Sequence, residues 1–342
     1  MSMNSLPGQH RAKRFLLQLY RRELIPHALL FSGLAGVGKK ALAHQFAKLL
    51  NCRNPQENDC CDHCDACRKT DANVHPDVIL IQREGAFIKI SQIRELRNHL
   101  KFAPFEGIRR VIILEDAHRL NEEASNALLK ILEEPPRNHV FILITPNPQM
   151  LLPTLLSRCC HVRFQPLESR LILQELFEGE GLEPSSAQKA ARLSLGSRDR
   201  AQGLSRGTLS RWQELTAGLI KLPALSVSET FQFVSHWLKN TEDLEEDLQC
   251  IKFWMRDMVF SILLAGHDPV FELDAETLRA LDQSPVEALF EFYDDVESAA
   301  HHLTLNANKQ LIVEGLCLSI RNILYGKGHR NSISQVRQDL PL

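Results

Sequence analysis

The 342-residue sequence predicts an α/β domain on a parallel sheet followed by a wholly helical remainder, and three observations predict it. Four short runs are almost uninterruptedly apolar: Ala28 to Phe31, Val78 to Ile81, Val111 to Leu114 and Val140 to Thr145. Parallel strands covered on both faces read this way, because neither face meets water. Segments with apolar residues at helical spacing, such as Lys39 to Leu50, lie between these runs, so strands and helices alternate. After Pro166 only helical patterns remain, broken near "SLGSRDRAQG" and again near "KLPALSVSE".

The first run opens onto Gly33-Leu34-Ala35-Gly36-Val37-Gly38-Lys39-Lys40 and then a helical pattern. Strand, glycine loop and helix in that order form a phosphate site. Gly33, Gly36 and Gly38 let backbone N–H groups curl round phosphates, and Lys39 reaches the outer ones. The next position ordinarily carries a Ser or Thr that holds Mg²⁺, and here it is Lys40. ATP or ADP binding at this loop is left open, and hydrolysis by the chain is expected to be lost.

The third run ends in Glu115-Asp116. A metal-organising Asp followed by a catalytic Glu is the usual order, and the swap changes the length of both arms. Misplacements of about 1 Å can cost roughly a hundredfold in such chemistry. Asn121 next reads as a helix N-cap, with Glu122 and Glu123 in the first turn and Pro135-Pro136 as the stop.

The segment 51–70, "NCRNPQENDCCDHCDACRKT", crowds five of the nine cysteines together. Cytosolic thiols stay reduced, so disulfides are not expected. Cys52, Cys61, Cys64 and Cys67 have the spacing of four thiolate ligands to one structural Zn²⁺ with no open position. Cys60 competes with Cys61 for the second place, and His63 is a weaker competitor. The segment has no aromatic residue and carries Glu57, Asp59, Asp62 and Asp65, which argues against a zinc-dependent nucleic-acid-binding module.

Charge is uneven. Residues 1–50 hold eight Lys/Arg against one Glu, while residues 229–297 hold 17 Asp/Glu against four Lys/Arg. A basic start suits phosphates, and an acidic later stretch suits protein partners rather than nucleic acid. No apolar run has the length of a signal peptide or a membrane span, so a cytoplasmic protein without membrane contact is expected.

Taken together, "IPHALLFSG", the altered phosphate loop, the cysteines at gaps of 9, 3 and 3, His75-Pro76-Asp77, "NALLKILEEPP", "LLSRC" and "NANKQLIVEGL" resemble the bacterial clamp-loader branch of the AAA+ superfamily. The resemblance implies three parts: a RecA-like α/β domain over 1–165 with a zinc module at 51–70, a small helical lid over 166–206, and an all-α collar over 207–342. It implies a hetero-oligomeric, pentameric loader with gamma/tau and delta subunits that acts on a sliding clamp and primed DNA. Within "SRC", Arg158 occupies the place of an arginine finger offered in trans to a neighbour's ATP. Thr145 matches a position that senses the γ-phosphate in active members. The motor subunits keep Ser or Thr in the loop, Asp-Glu order at the second motif, and a lid arginine where this chain has Asp199. These departures favour a non-hydrolysing subunit over an ATP-hydrolysing motor.

Overall fold

The computed structural model describes residues 3, 5–56, 59–180, 183–204, 208–241, 243–264, 269–271, 286–304 and 307–324. The chain divides into two compact units, residues 1–203 and 204–342. The expected boundary between 206 and 207 lies outside the described residues, as do Glu57 and Asn306 of the motifs quoted above.

Unit 1 is built on five strands: β1 (Ala28–Ser32), β2 (Val78–Ile81), β3 (Arg110–Leu114), β4 (His139–Thr145) and β5 (Cys160–Arg163). All pair in parallel in the order β2-β3-β4-β1-β5. The four apolar runs are the four strands expected. The fifth was not anticipated: it is a four-residue edge strand with Val162 as its one buried residue, too polar to stand out.

Alternate residues of each strand enter two separate cores. Leu29, Phe31, Val111, Ile113 and Ile142 pack with Leu16 of α1 (His10–Arg21) and with Phe46 and Leu49 of α2 (Lys39–Asn51). Ala28, Leu30, Ile112, Leu114 and Phe141 pack on the other face with Ile93 and Leu96 of α4 (Ile90–His99) and Leu128 of α5 (Glu122–Glu133). The short α3 (Asp65–Asp71) follows the cysteine segment. Asn121 caps α5 by accepting the Ala124 N–H at 2.9 Å.

A polar knot fastens the edge of this sheet. Asp77, fully buried at the start of β2, accepts the N–H groups of Phe105, Glu106 and Gly107 at 2.8–2.9 Å and faces the Arg110 guanidinium at 2.9 Å. Arg110 in turn donates to the carbonyls of Phe102 and Ala103. The His-Pro-Asp motif therefore organises a loop through backbone contacts.

Unit 1 continues through α6 (Pro153–Leu156), α7 (Ser169–Glu180), α8 (Pro184–Leu193) and α9 (Arg198–Gly203). Unit 2 is helical throughout its described residues: α10 (Leu209–Lys221), α11 (Val227–Asn240), α12 (Leu244–Leu263), then Val286–Thr304 and Lys309–Leu324. Trp212 and Trp254 are buried in it. Asp247, almost wholly buried, accepts from the Trp237 indole at 2.8 Å and faces Arg211 at 3.0 Å.

Candidate functional site

The loop between β1 and α2 opens onto a cleft of about 700 Å³ lined by Gly36, Gly38, Lys39, Lys40, His44, Glu115, Asp116, Arg198 and Asp199, among others. Two glycines are required by the packing. Gly36 adopts a left-handed φ of 72°, and a Cβ there would meet the Ser197 Oγ at 2.3 Å and Asp199 at 3.0 Å. At Gly33 a Cβ would strike the Phe164 carbonyl oxygen at 2.5 Å. Arg198 donates its N–H to the Gly36 carbonyl at 2.8 Å, so the start of α9 sits directly on the loop.

Gly38 is the N-cap of α2, and no side chain caps that end or places an acid in its first turn. The first N–H groups of a helix have no intrahelical acceptor and carry the positive end of its dipole. Lys39, at the head of the helix, folds back on its own loop and donates to the Gly33 carbonyl at 2.6 Å and to that of Leu34. Burial lowers its ammonium to about 8, against the opposing pull of Asp116 and Asp199. Burial and the neighbouring Lys40 lower His44.

The altered position makes a specific contact. Lys40 Nζ lies 2.8 Å from Glu115 Oε1, and the other oxygen of that carboxylate accepts from Gln82 Nε2 at 3.0 Å. Asp116, in the left-handed region with φ 49°, faces Arg83 at 3.5 Å. Each acid of the swapped pair thus has its own basic partner. A divalent cation beside this pair would be repelled by the Lys40 ammonium and would compete with it for Glu115.

Thr145 stands apart from these residues. It is buried at the end of β4, and its Oγ accepts the Asn147 N–H at 3.0 Å. Its neighbours Ile144 and Pro146 line the cleft instead.

Arg158 lies at the other end of the sheet. It precedes β5, whose Cys160 pairs with Leu29, whereas the phosphate loop leaves β1 beyond Ser32, the partner of Arg163. Those two levels are about 10 Å apart along the strands, so Arg158 and the cleft lie at opposite strand ends. Its guanidinium is half-exposed, 2.9 Å from Glu133 Oε1, and donates to the Thr154 carbonyl at 3.0 Å.

The four expected cysteines converge. The sulfurs of Cys52, Cys61, Cys64 and Cys67 all lie within 4.8 Å of one another, with Cys61 and Cys67 at 3.9 Å. Tetrahedral Zn–S bonds of about 2.3 Å place sulfurs near 3.8 Å apart, so the donor set fits that ion. The N–H groups of Cys61 and Cys64 donate to the sulfurs of Cys52 and Cys61 at 3.3 and 3.4 Å, orienting both ligands from the backbone. Cys60 turns away toward Asp62 and Asp59, at 3.3 and 3.5 Å. Burial, with those carboxylates, pushes its thiol up to about 12, opposite to what a thiolate ligand needs. The His63 ring bonds the Cys61 carbonyl instead of joining the sulfurs.

Sequence reading missed several contributors. Lys48, fully buried in α2, pairs with Asp62 and Asp71 at 2.5 Å and ties the cysteine segment and α3 to the phosphate-loop helix. The signal was a charged residue on the apolar stripe of α2. Arg83, Gln82 and Glu133 had no motif to mark them. A second groove of about 440 Å³ between α4 and α5 gathers Arg94, Arg97, Lys101 and Lys130. Among the described residues, no helix is long and apolar enough to cross a membrane.

A family model described as DNA polymerase III, delta subunit, matches residues 8–168. The chain is 30% identical over 332 residues to DNA polymerase III subunit delta' of Bacillus subtilis, spanning 93% of this chain and 97% of that one. It is 29% identical over 335 residues to subunit tau of the same organism, of whose length it spans 59%. With subunit delta' of Pseudomonas aeruginosa it shares 37% over 189 residues, 50% of this chain and 58% of that one. Among solved structures, a gamma-subunit-related protein of Thermotoga maritima is similar over 90% of this chain at 20% identity and a TM-score of 0.44. On the strength of the delta' match, which spans nearly the whole of both chains, the chain belongs to the bacterial DNA polymerase III clamp-loader subunits, the family of delta' and gamma/tau.

Proposed function

We propose that this chain is a delta'-type subunit. On this reading it is a non-hydrolysing member of a hetero-oligomeric loader that braces gamma/tau and delta subunits and completes a neighbour's ATP site with Arg158. The observation that carries the reading is the Lys40–Glu115 ion pair, which puts a protein cation where a hydrolysing site needs Mg²⁺. The Arg83–Asp116 pair points the same way.

The position of Arg158 supports a role in trans. It stands at the strand ends opposite the chain's own cleft, at the surface, held by an exposed pair that contributes little. An arginine supplied to a transferring phosphoryl group is worth about 10³ to 10⁵ in rate. The α/β unit with α7–α9 corresponds to the RecA-like domain and lid of the AAA+ plan, and the acidic helical unit 2 to the collar. The four cysteines hold one structural zinc. The basic groove between α4 and α5 is the part of unit 1 suited to primed DNA once the loader is assembled.

Two measurements test this reading. The purified chain alone is expected to turn over no ATP, and turnover that Lys39→Ala abolishes would overturn the assignment in favour of a gamma/tau-type motor. In the reconstituted loader, Arg158→Ala lowers DNA-dependent ATP turnover while assembly persists. Full turnover in that variant removes the role in trans.

A further inference from the structure

Residues 1–50 carry eight cations, and the fold divides them into two groups. The four lysines are all engaged: Lys13 with the Leu6 carbonyl, Lys39 with its own loop, Lys40 with Glu115, and Lys48 with Asp62 and Asp71. The four arginines, Arg11, Arg14, Arg21 and Arg22, are all exposed, and among the described residues none has a side-chain partner. At 3.6 residues per turn they fall, with exposed His10 and Gln18, within about a third of the circumference of α1 and its C-cap, in a stripe about 16 Å long. Helix stability does not explain this arrangement. Arg11 lies in the first turn, where the dipole disfavours a cation, that turn holds no acid, and Arg11 and Arg14 are like charges three residues apart. Glu23, the one acid in residues 1–50, lies beyond the helix end.

From this we infer that the outer face of α1 is a docking surface for the sugar-phosphate backbone of double-stranded nucleic acid, read without regard to sequence. Arginine forks match phosphate oxygens. A protein partner needs an apolar centre to its interface, and no large apolar side chain between His10 and Arg22 is exposed. A helix that lies on a membrane buries its apolar face in lipid, whereas Leu16 and its neighbours on α1 are already in the core. Single strands are gripped by stacking on aromatic rings, and the two rings of this helix, Phe15 and Tyr20, pack against the core. A regular array of phosphates fits what is left, because 16 Å spans about five phosphates of one duplex strand. Leu16 places α1 on the face of the sheet that it shares with α2, while the basic groove between α4 and α5 lies on the other face. A straight duplex in the groove cannot also lie on α1, so the arginine stripe takes a second duplex segment. The inference depends on the charges of this chain alone and stands whether or not the chain is the non-hydrolysing subunit.

The test is fluorescence anisotropy of the full chain with a labelled duplex of about 20 base pairs and arbitrary sequence, between about 50 and 200 mM salt. Four phosphate contacts give log K a slope against log[salt] of about −3.6, roughly a hundredfold loss of affinity over that range. Replacing Arg11, Arg14, Arg21 and Arg22 together by Gln removes that share of the slope whatever the groove contributes, and Arg11→Gln with Arg14→Gln removes about half of it. The matching four-lysine variant keeps the slope, since it keeps the charges. All four positions are at the surface, so the melting temperatures of the variants stay at or above that of wild type. A single strand of the same length binds more weakly than the duplex. The inference is overturned by a wild type that does not bind the duplex at low salt, by a four-glutamine variant with the wild-type slope, or by a single strand bound as tightly as the duplex. A four-glutamine variant that keeps its duplex affinity but no longer joins a loader reconstituted with gamma/tau and delta subunits makes the face a protein contact, which overturns it too.

Discussion

Glu133→Gln separates the two things Arg158 can do. In the isolated chain the guanidinium rests on Glu133 at 2.9 Å, with both side chains more than a third exposed. Exposed pairs of this kind contribute about 0.2–1 kcal/mol. Releasing Arg158 therefore changes its availability by a factor of about 1.4 to 5, and a loss of 1 kcal/mol moves the melting temperature of a domain this size by about 2–4 °C. The Thr154 carbonyl still holds the other arm of the guanidinium, which keeps the real change near the low end. The assay is DNA-dependent ATP turnover of loaders reconstituted with wild type, Glu133→Gln and Arg158→Ala. Glu133→Gln is expected to match wild type or exceed it by up to about fivefold, while Arg158→Ala falls well below both. If Glu133→Gln falls to the level of Arg158→Ala, the pair itself is what the loader needs, and the idea of an arginine held in reserve is wrong.

Further expectations concern the knot and the cysteines. Asp77→Asn leaves the buried Arg110 without its counter-charge, so urea unfolding of the α/β unit loses about 3–5 kcal/mol. Burial alone would raise the Asp77 carboxyl, but three N–H groups and Arg110 hold it below the usual range. Its contribution is thus present above the ordinary Asp value of about 3.9 and is lost as pH falls through the lower folded value, a loss that the variant's acid unfolding curve should lack. Elemental analysis should find one zinc per chain, absent in Cys64→Ser and Cys61→Ser and retained in Cys60→Ser.

Four strands were legible because each is an unbroken apolar run, β2 at one edge included. Strand β5, at the other edge, was not, since polar His161 and Arg163 alternate with Val162. The phosphate loop and the metal spacing are written in contiguous residues. The choice between Cys60 and Cys61 is not, because it depends on which thiol the chain turns toward Cys52 and which toward Asp62. The Arg83–Asp116 pair and the Gln82–Glu115 bond exist only because β2 and β3 end side by side, a fact of strand order that no local pattern records. The hydrogen bond from the Asn147 N–H to Thr145 Oγ likewise depends on how the chain turns after β4.

Helix α2 begins at Lys39 and ends at Asn51, one residue before Cys52. A straight rod about 20 Å long therefore joins the glycine loop to the sulfur cluster, and Lys48 bolts its far half to two carboxylates. If the four sulfurs hold an ion, removing it would loosen one end of the shaft whose other end carries the glycine loop, so a chelator acting on one pole would have a mechanical route to the other.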